Sequence, residues 1–514
     1  MNLLISLIVS ILIAAACTGY SRKLLHVFQL ESYQLPGYKR SFLRSRGKLI
    51  LLGGIPGVAG FLLAAAGLPV LLCALLELAA AAASWVYVDR QKQKKPFVLT
   101  ERVKRLMAVH MVVALILSLL LCAFSCRLAL LLPLFETRIL AIASLAAKPM
   151  EKKINDQFAK DAQQRLDSVP GIIRIGITGS YGKTSTKFLL KEILSVKWNV
   201  LATPGSFNTT MGVTRVIREM LTPAHQVFIA EMGARHPGDI RELVELVHPT
   251  IGILTSIGPQ HLDTFGSIEG VAAAKKELID GLPDNGIAVL ANDGAWCTRV
   301  YENCSLKEKY LAGSLLEAKN IEIGPWGTRF TLLDTQTGEE ATCSTKLLGR
   351  HSIDNMMLCC ITAKKLGMTL PEIAIGIARC KPVEHRLQLL DAGQGITIID
   401  DAFNSNPAGA KAAVEVLSAF PGRRIIVTPG MVELGEKEAE YNREFGRQIA
   451  SGADIAILVG ARHTKPIAEG LKEVGFDDQA VYVAETLDEA RKLMEGLLRP
   501  GDVVMYENDL PDNY

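Results

Sequence analysis

The sequence predicts an α/β protein in three parts. These are an N-terminal five-helix transmembrane segment (residues 1–148), a central P-loop α/β domain (149–382) and a C-terminal Rossmann-like α/β domain (383–514). Three observations predict this. Most of the long apolar runs fall before residue 148. A buried-strand pattern at 172–178 leads directly into a glycine-rich loop and then a helical run. Beyond residue 383, short apolar strands alternate with helical stretches, the pattern of a parallel sheet with right-handed crossovers.

Composition sets the frame. A chain of 514 residues suits about three domains at roughly 100–200 residues each. It is 49% hydrophobic, high for a protein wholly in water. The net charge of +3 points neither toward nor away from nucleic acid, and nothing else in the chain asks for such a partner. None of the ten cysteines forms a CxxC pair or has metal-ligand spacing. Four lie in the apolar third, the rest read as reduced thiols of a cytosolic domain, and no zinc site is expected.

A helix crossing a bilayer takes about 20 apolar residues. Five stretches qualify or nearly do: Leu3–Tyr20, Leu49–Ala66, Leu68–Val88, Leu106–Ser125 and Leu128–Ala147. Basic residues crowd segments 21–48 (Arg22, Lys23, Lys39, Arg40, Arg44, Arg46, Lys48) and 89–106 (Arg90, Lys92, Lys94, Lys95, Arg102, Lys104, Arg105), whereas the hairpin tips carry only Arg127. Positive loops stay in the cytoplasm, so the N-terminus is expected outside and everything after 148 inside. The expected localisation is a multi-pass cell-membrane protein with cytoplasmic domains. A cleaved signal peptide over 1–20 fits poorly, because the basic n-region and a small-x-small cleavage site before Ser21-Arg22-Lys23 are both missing. Residues 149–168 turn abruptly polar and read as a connecting helix.

The strand IIRIGIT (172–178) runs into Gly179-Ser180-Tyr181-Gly182-Lys183-Thr184-Ser185-Thr186 and the helical run KFLLKEIL. Glycines let backbone amides approach phosphate oxygens, and a helix N-terminus adds partial positive charge. Lys183 supplies a point charge for outer phosphates, and the Thr184 hydroxyl suits Mg²⁺. The long GxxxxGK[ST] spacing fails because residue 177 is Ile; the loop is the shorter TGxxGKT[ST] form. Gly-Lys-Thr alone is common, so the strand–loop–helix context carries the reading.

Three later segments place charged groups at the ends of apolar runs. Glu231 ends VFIAE (227–231), where an unpaired carboxylate would be costly. His261 follows the strand-like segment beginning at Ile251. Lys275 lies on an expected helix starting near Ser267. A metal ion near the phosphate loop would account for Glu231, with a partnered structural carboxylate as the alternative. His261 suits a second metal ligand by its place in the segment, although a lone histidine is more often structural. Lys275 on composition alone is a solvated lysine.

Together these segments resemble the Mur ligases, the ATP-dependent amide ligases of peptidoglycan synthesis, and most nearly the type that adds D-alanyl-D-alanine. The resemblance rests on TGSYGKTST, AEMG, IGPQHLDTFGS, AAAKKEL, GLPDNGIAVLANDG, LLGRHSIDN, EHRL, DDAFNSNP and GMVELGE, in order from about residue 170 to 505. It implies ATP and two Mg²⁺ ions as cofactors. Lys183 and the loop from Gly179 to Ser185 would hold the β- and γ-phosphates. Thr184 and Glu231 would bind one Mg²⁺, with His261 and Lys275 at the second metal, where Lys275 matches the lysine that Mur ligases carbamylate. Asn292, His351 and Asn355 would contact the nucleotide, Arg386 and Asp401 would reach ATP as the domains close near Pro382, and Asn208, Asn404 and Asn406 would contact substrate. The catalytic set is Lys183, His261 and Lys275. The implied reaction is two-step: a carboxylate takes the γ-phosphoryl group, and an amine then displaces phosphate from the acyl-phosphate.

The chain departs from the family pattern in three places. The soluble domain that grips the UDP end of the precursor is replaced by hydrophobic segments. The loop GSFNTTMG (205–212) keeps Asn208 but has Thr209 where a second Asn is usual, and the C-terminal VVMYENDLPDNY lacks the usual Lys-Gly-Ser. The C-terminal domain contains no GxGxxG, so no dinucleotide is inferred. The expected partners are a lipid bilayer, a small-molecule or lipid-linked envelope precursor, and an amine (an amino acid or dipeptide). The alternatives are a ligase of another envelope polymer such as poly-γ-glutamate, a nucleotide-binding membrane scaffold without turnover, and an ATP-driven transporter. The last is disfavoured by the lack of an internal repeat and of an evident intramembrane acidic pathway.

Overall fold

Long apolar runs without strand-type alternation make helices, and the first part of the chain is entirely helical. The computed structural model describes residues 3–508 apart from 32, 45–47, 91–95, 261, 325, 383–384, 392, 394, 403–404, 433 and 435–436. It divides into two compact units, Met1–Gln157 and Phe158–Tyr514.

In the first unit, helices Leu3–Tyr20, Val70–Asp89 and Glu101–Phe124 are long and apolar enough to cross a membrane. A fourth, Lys48–Ala65, contains Pro56, and its described apolar stretch Gly53–Ala65 is shorter. Leu3–Tyr20 packs directly on Val70–Asp89: a Cβ at Gly19 would come 2.9 Å from that of Ala81, the small-residue contact that lets two helix backbones approach. Large apolar side chains face outward, including Leu62, Leu75, Val112, Leu120 and Leu145.

The fifth expected span, Leu128–Ala147, is not one helix. Ser125 is extended, a short helix covers Cys126–Ala129, and a 3₁₀ turn covers Leu132–Phe135 around Pro133. Proline lacks the amide that a continuing helix needs and clashes with the preceding turn. A single helix then runs from Glu136 to Asp167. It passes through the expected boundary at 148 and absorbs the expected connecting segment.

The interior of this unit is less apolar than its sequence suggested. Glu77, His110 and Glu136 are all buried. His110 Nε2 lies 2.5 Å from Glu136 Oε1, and its Nδ1 lies 3.3 Å from Thr18 Oγ1. Both oxygens of Glu77 lack a hydrogen-bond partner. Two buried carboxylates and a buried histidine thus come from three different helices, which one-dimensional patterning does not bring together. A buried polar group without a partner costs roughly 1–3 kcal/mol. Glu77→Leu is accordingly expected to raise stability by about that amount, read as a higher unfolding midpoint of the detergent-solubilised protein.

The second unit holds three sheets. Strands β1 (Ile173–Thr178), β2 (Val200–Ala202), β3 (Val227–Glu231), β4 (Ile251–Leu254), β5 (Ile287–Leu290) and β6 (Glu308–Leu311) form a parallel sheet in the order β2-β3-β1-β4-β5-β6. β3 and β4 are buried along their whole length, as expected for strands covered on both faces. Strands β7 (Leu316–Gly324), β8 (Gly327–Asp334) and β9 (Glu340–Thr345) form an antiparallel sheet that the sequence reading did not anticipate. Its strands alternate buried and exposed residues, and no apolar run marks them.

The C-terminal sheet comprises β10 (Gln388–Asp391), β11 (Thr397–Asp401), β12 (Arg424–Thr428), β13 (Ile455–Val459), β14 (Val481–Ala484) and β15 (Val503–Glu507), ordered β10-β11-β15-β12-β13-β14. Five strands are parallel, as expected, and β10 adds an antiparallel edge.

Candidate functional site

The topological switch in the central sheet puts β1 between β3 and β4, and open α/β sheets bind ligands at the carboxyl ends of such strands. Here β1 ends in the glycine-rich loop. Gly179 has φ +151°, and a Cβ there would lie 2.1 Å from Thr255 Oγ1; Gly182 has φ +81°, and a Cβ there would lie 2.7 Å from Asn355 Oδ1. Only glycine fits either place. The loop is tied to the segment after β4. Ser180 N donates to Ser256 O (2.8 Å) and Tyr181 N to Ser256 Oγ (2.7 Å), while Ser180 Oγ donates to Gly258 O (3.1 Å). Ser180 and Tyr181 thus spend these groups on shaping the loop. The helix Lys183–Leu194 begins at once and presents the amides of Lys183, Thr184 and Ser185, which have no partner within the helix.

Lys183 Nζ donates to the loop carbonyls of Gly179 (2.6 Å) and Ser180 (2.8 Å). Burial lowers its pKa to about 8, with Arg386 pushing the same way and Glu231 opposing. Glu231, at the end of β3, is fully buried. Its Oε1 accepts from Thr184 Oγ1 (3.1 Å) and Asn208 Nδ2 (3.0 Å), and its Oε2 accepts from Lys187 Nζ (2.9 Å). Lys187 was not singled out from the sequence. It reads as one more lysine in a helical run, yet its phase is that of the buried Leu190 and Leu194, and that phase was the available signal.

Lys275 lies on helix Ile268–Asp280 and is buried. Burial and the nearby Lys183 lower its pKa to about 7, against the pull of Asp239 and Glu277. Its burial removes the surface-lysine reading, and a pKa near 7 leaves a sizeable fraction of the amine neutral and nucleophilic at neutral pH.

The C-terminal domain reaches the same place. Arg386 is within electrostatic range of Lys183, Glu231 and His351. Asp401, ending β11, accepts from Leu387 N (3.1 Å). Burial and the neighbouring Glu507 carboxylate push its pKa to about 7. Asn355 abuts Gly182. Asn292 is exposed in the loop after β5, where Asp293 accepts from the amides of Ala295 (2.9 Å) and Cys297 (3.1 Å) at the next helix start. Asn406 caps the helix Pro407–Ser418 by accepting from Gly409 N (3.0 Å). His261 and Asn404 lie outside the described residues.

The donor set suits a magnesium nucleotide. A threonine hydroxyl and a carboxylate are hard oxygen ligands, and the loop amides and Lys183 suit phosphate oxygens. Among the described residues no three His, Cys, Asp or Glu side chains cluster as a metal site. Magnesium does not require such a cluster, because it keeps waters and takes substrate phosphates.

Comparisons with known proteins agree. The Mur ligase middle domain matches residues 177–363 and the Mur ligase, glutamate ligase domain matches 385–506. UDP-N-acetylmuramoyl-tripeptide--D-alanyl-D-alanine ligase of Escherichia coli (strain K12) is 33% identical over 353 residues, covering 66% of this chain and 77% of that protein. The Bacillus subtilis (strain 168) enzyme of the same name is 29% identical over 355 residues, covering 68% and 75%. Among solved structures, MurF from Acinetobacter baumannii has a TM-score of 0.61 at 26% identity, covering 69% of this chain and 77% of that one. MurF from Thermotoga maritima in complex with ADP has a TM-score of 0.59 at 25% identity, covering 69% and 80%. Both matched domains lie beyond the N-terminal helices, and through them this chain belongs to the Mur ligase family of ATP-dependent, amide-forming ligases.

Proposed function

We propose that this chain is a membrane-anchored MurF-like ligase that uses ATP to join a carboxylate on a cell-envelope precursor to an amine. The observation that carries the proposal is the convergence of Lys183, Thr184 and Glu231 at the carboxyl ends of β1 and β3, with Lys275 in electrostatic range of Lys183 and Arg386 in range of Glu231.

When bound, Mg²⁺ supplies charge neutralisation for the phosphates; Thr184 and Glu231 would hold one ion, and His261 with Lys275 would serve a second. The amides of Lys183, Thr184 and Ser185 at the helix start, with the Lys183 ammonium, bind and orient the β- and γ-phosphates of ATP. Lys183 sits opposite the charge that develops as the carboxylate takes the phosphoryl group. Asn355, His351 and Asn292 border the nucleotide, and Arg386 with Asp401 closes over it. Asn208, Asn404 and Asn406 belong to the substrate side, Asn208 through its bond to Glu231. The amine then attacks the acyl-phosphate and phosphate leaves.

Lys275 at a pKa of about 7 is poised to add CO₂, since only the neutral amine reacts. The resulting carbamate would exchange a cation for an anion near the metal. With ¹³C-bicarbonate, a carbamate carbonyl signal is expected to grow from about pH 6 to about pH 8, one unit either side of that pKa, and to be absent in Lys275→Arg. A spectrum without that signal across the range removes the modification.

Several contacts support a membrane placement with both basic segments on one side. Arg22 Nη2 pairs with Asp89 Oδ1 (2.7 Å), Gln29 Nε2 donates to Val98 O (3.0 Å), and Arg105 Nε pairs with Glu151 Oε1 (2.7 Å). The described residues around 22–29, 89, 98–105 and 151 therefore lie together at one end of the helical unit. Positive charge at one end is the cytoplasmic signature. All ten native cysteines are buried, so a membrane-impermeant thiol reagent is expected to label a cysteine placed at Gly67 in intact cells and to spare one placed at Lys94. The reverse pattern would overturn the orientation.

The anchor occupies the place where the family grips UDP, which favours substrates confined to the same surface. D-alanyl-D-alanine addition is the first candidate, and a poly-γ-glutamate-like ligation is the second. Purified full-length protein with ATP, Mg²⁺ and panels of acceptor and amine is expected to release phosphate only with the matching pair. Lys183→Ala should lower that rate by on the order of 10²-fold or more. Full activity in that variant would remove the loop's assigned role.

A further inference from the structure

Lys187 has no part in the phosphate and metal roles assigned above, yet it is a fully buried cation with two acceptors. It is 0% exposed, Glu231 is 1% exposed, and their Nζ–Oε2 distance is 2.9 Å. A lysine is almost never fully buried unless paired. Its ammonium also donates to the carbonyl of Gly205, in the loop whose Asn208 donates to the other oxygen of the same carboxylate. One helix therefore brings two ammonium groups to the site a turn apart. Lys183 lies over the glycine-rich loop and Lys187 lies beneath Glu231.

The arrangement has two physical consequences. It divides the carboxylate: Oε2 is committed to Lys187, while Oε1 faces Thr184 and Asn208, the side on which a metal would also meet the Thr184 hydroxyl. It also cancels the charge of Glu231 before any metal arrives. A divalent cation entering alone would meet a nearly neutral pair and the repulsion of a fixed ammonium. A cation carrying the phosphates of a nucleotide brings its own compensating charge.

We propose that Lys187 is a positioning residue that holds Glu231 by one oxygen and neutralises it, so that the site accepts a divalent cation only together with the nucleotide's phosphates. The inference rests on the ATP-ligase reading of the same site and adds an order of binding to it.

Full-length detergent-solubilised protein, titrated with Mn²⁺ alone and with Mn²⁺ plus ATP and followed by the paramagnetic resonance of the free ion, tests this. Wild type is expected to retain Mn²⁺ far more tightly with ATP than without. Lys187→Gln, which removes the charge and keeps a donor, is expected to bind Mn²⁺ alone more tightly than wild type by on the order of tenfold, because one opposing unit charge beside a divalent ion is gone. Lys187→Arg should restore wild-type behaviour. A lysine that only stabilises the fold would lower the melting temperature of Lys187→Gln and leave its affinity for free Mn²⁺ unchanged or weaker, and that result overturns the inference. If Lys187→Gln does not fold, wild type decides: retention of Mn²⁺ as tight without ATP as with it overturns the inference. Failure of the ligase reading itself has a different sign, namely no binding of Mn²⁺ with ATP to wild type.

Discussion

A carboxylate with almost no exposure at the end of a central strand is the constraint around which the catalytic half is built. Glu231 would be costly where it stands, and four residues from two elements supply its partners. Helix Lys183–Leu194 provides Thr184 and Lys187, the loop after β2 provides Asn208, and Thr203 Oγ1 accepts from the Glu231 amide (3.2 Å). The same contacts bring the glycine-rich loop, the β3 end and the 204–209 loop together. A site for charged ligands is thereby preformed, which lets binding energy go into positioning rather than ordering.

The loop is held from its other side by the segment after β4. Thr255 Oγ1 donates to Tyr181 O (2.5 Å), and Ser256 accepts from two loop amides. Phosphate loops need backbone amides pointing outward, an arrangement the isolated chain has no reason to keep. The strained Gly179 conformation persists because Thr255 and Ser256 leave no room for a side chain there. The C-terminal domain completes the set with Arg386, whose charge acts on Lys183 and Glu231 across the domain boundary.

The N-terminal unit follows different rules. Its outward face carries large apolar side chains, and its mainly apolar interior also holds Glu77, His110 and Glu136. Small residues let its helices approach, as at Gly19 and Ala81. Pro133 breaks what reads as a continuous apolar run, so Leu128–Ala147 is not one helix, and three described helices are long and apolar enough to cross a membrane.

The strands that carry the site were legible in the sequence because buried parallel strands are short uninterrupted apolar runs, and the motif order from TGSYGKTST to DDAFNSNP identified the ligase chemistry. The resemblance also assigned Thr184 and Glu231 to one Mg²⁺, and the fold brings them within hydrogen-bond distance. Folding decided what depends on distance. Lys187 became a buried counter-ion because its helical phase points it at Glu231. Lys275 became a near-neutral amine because burial and Lys183 oppose its charge. Asn406 became a helix cap because its side chain meets the amide of Gly409. The sheet β7–β9 and the buried His110–Glu136 pair among the N-terminal helices went unread for the same reason. Sequence records residue type and local period, whereas charge balance and partnership are fixed by groups that come together only across long separations of the chain.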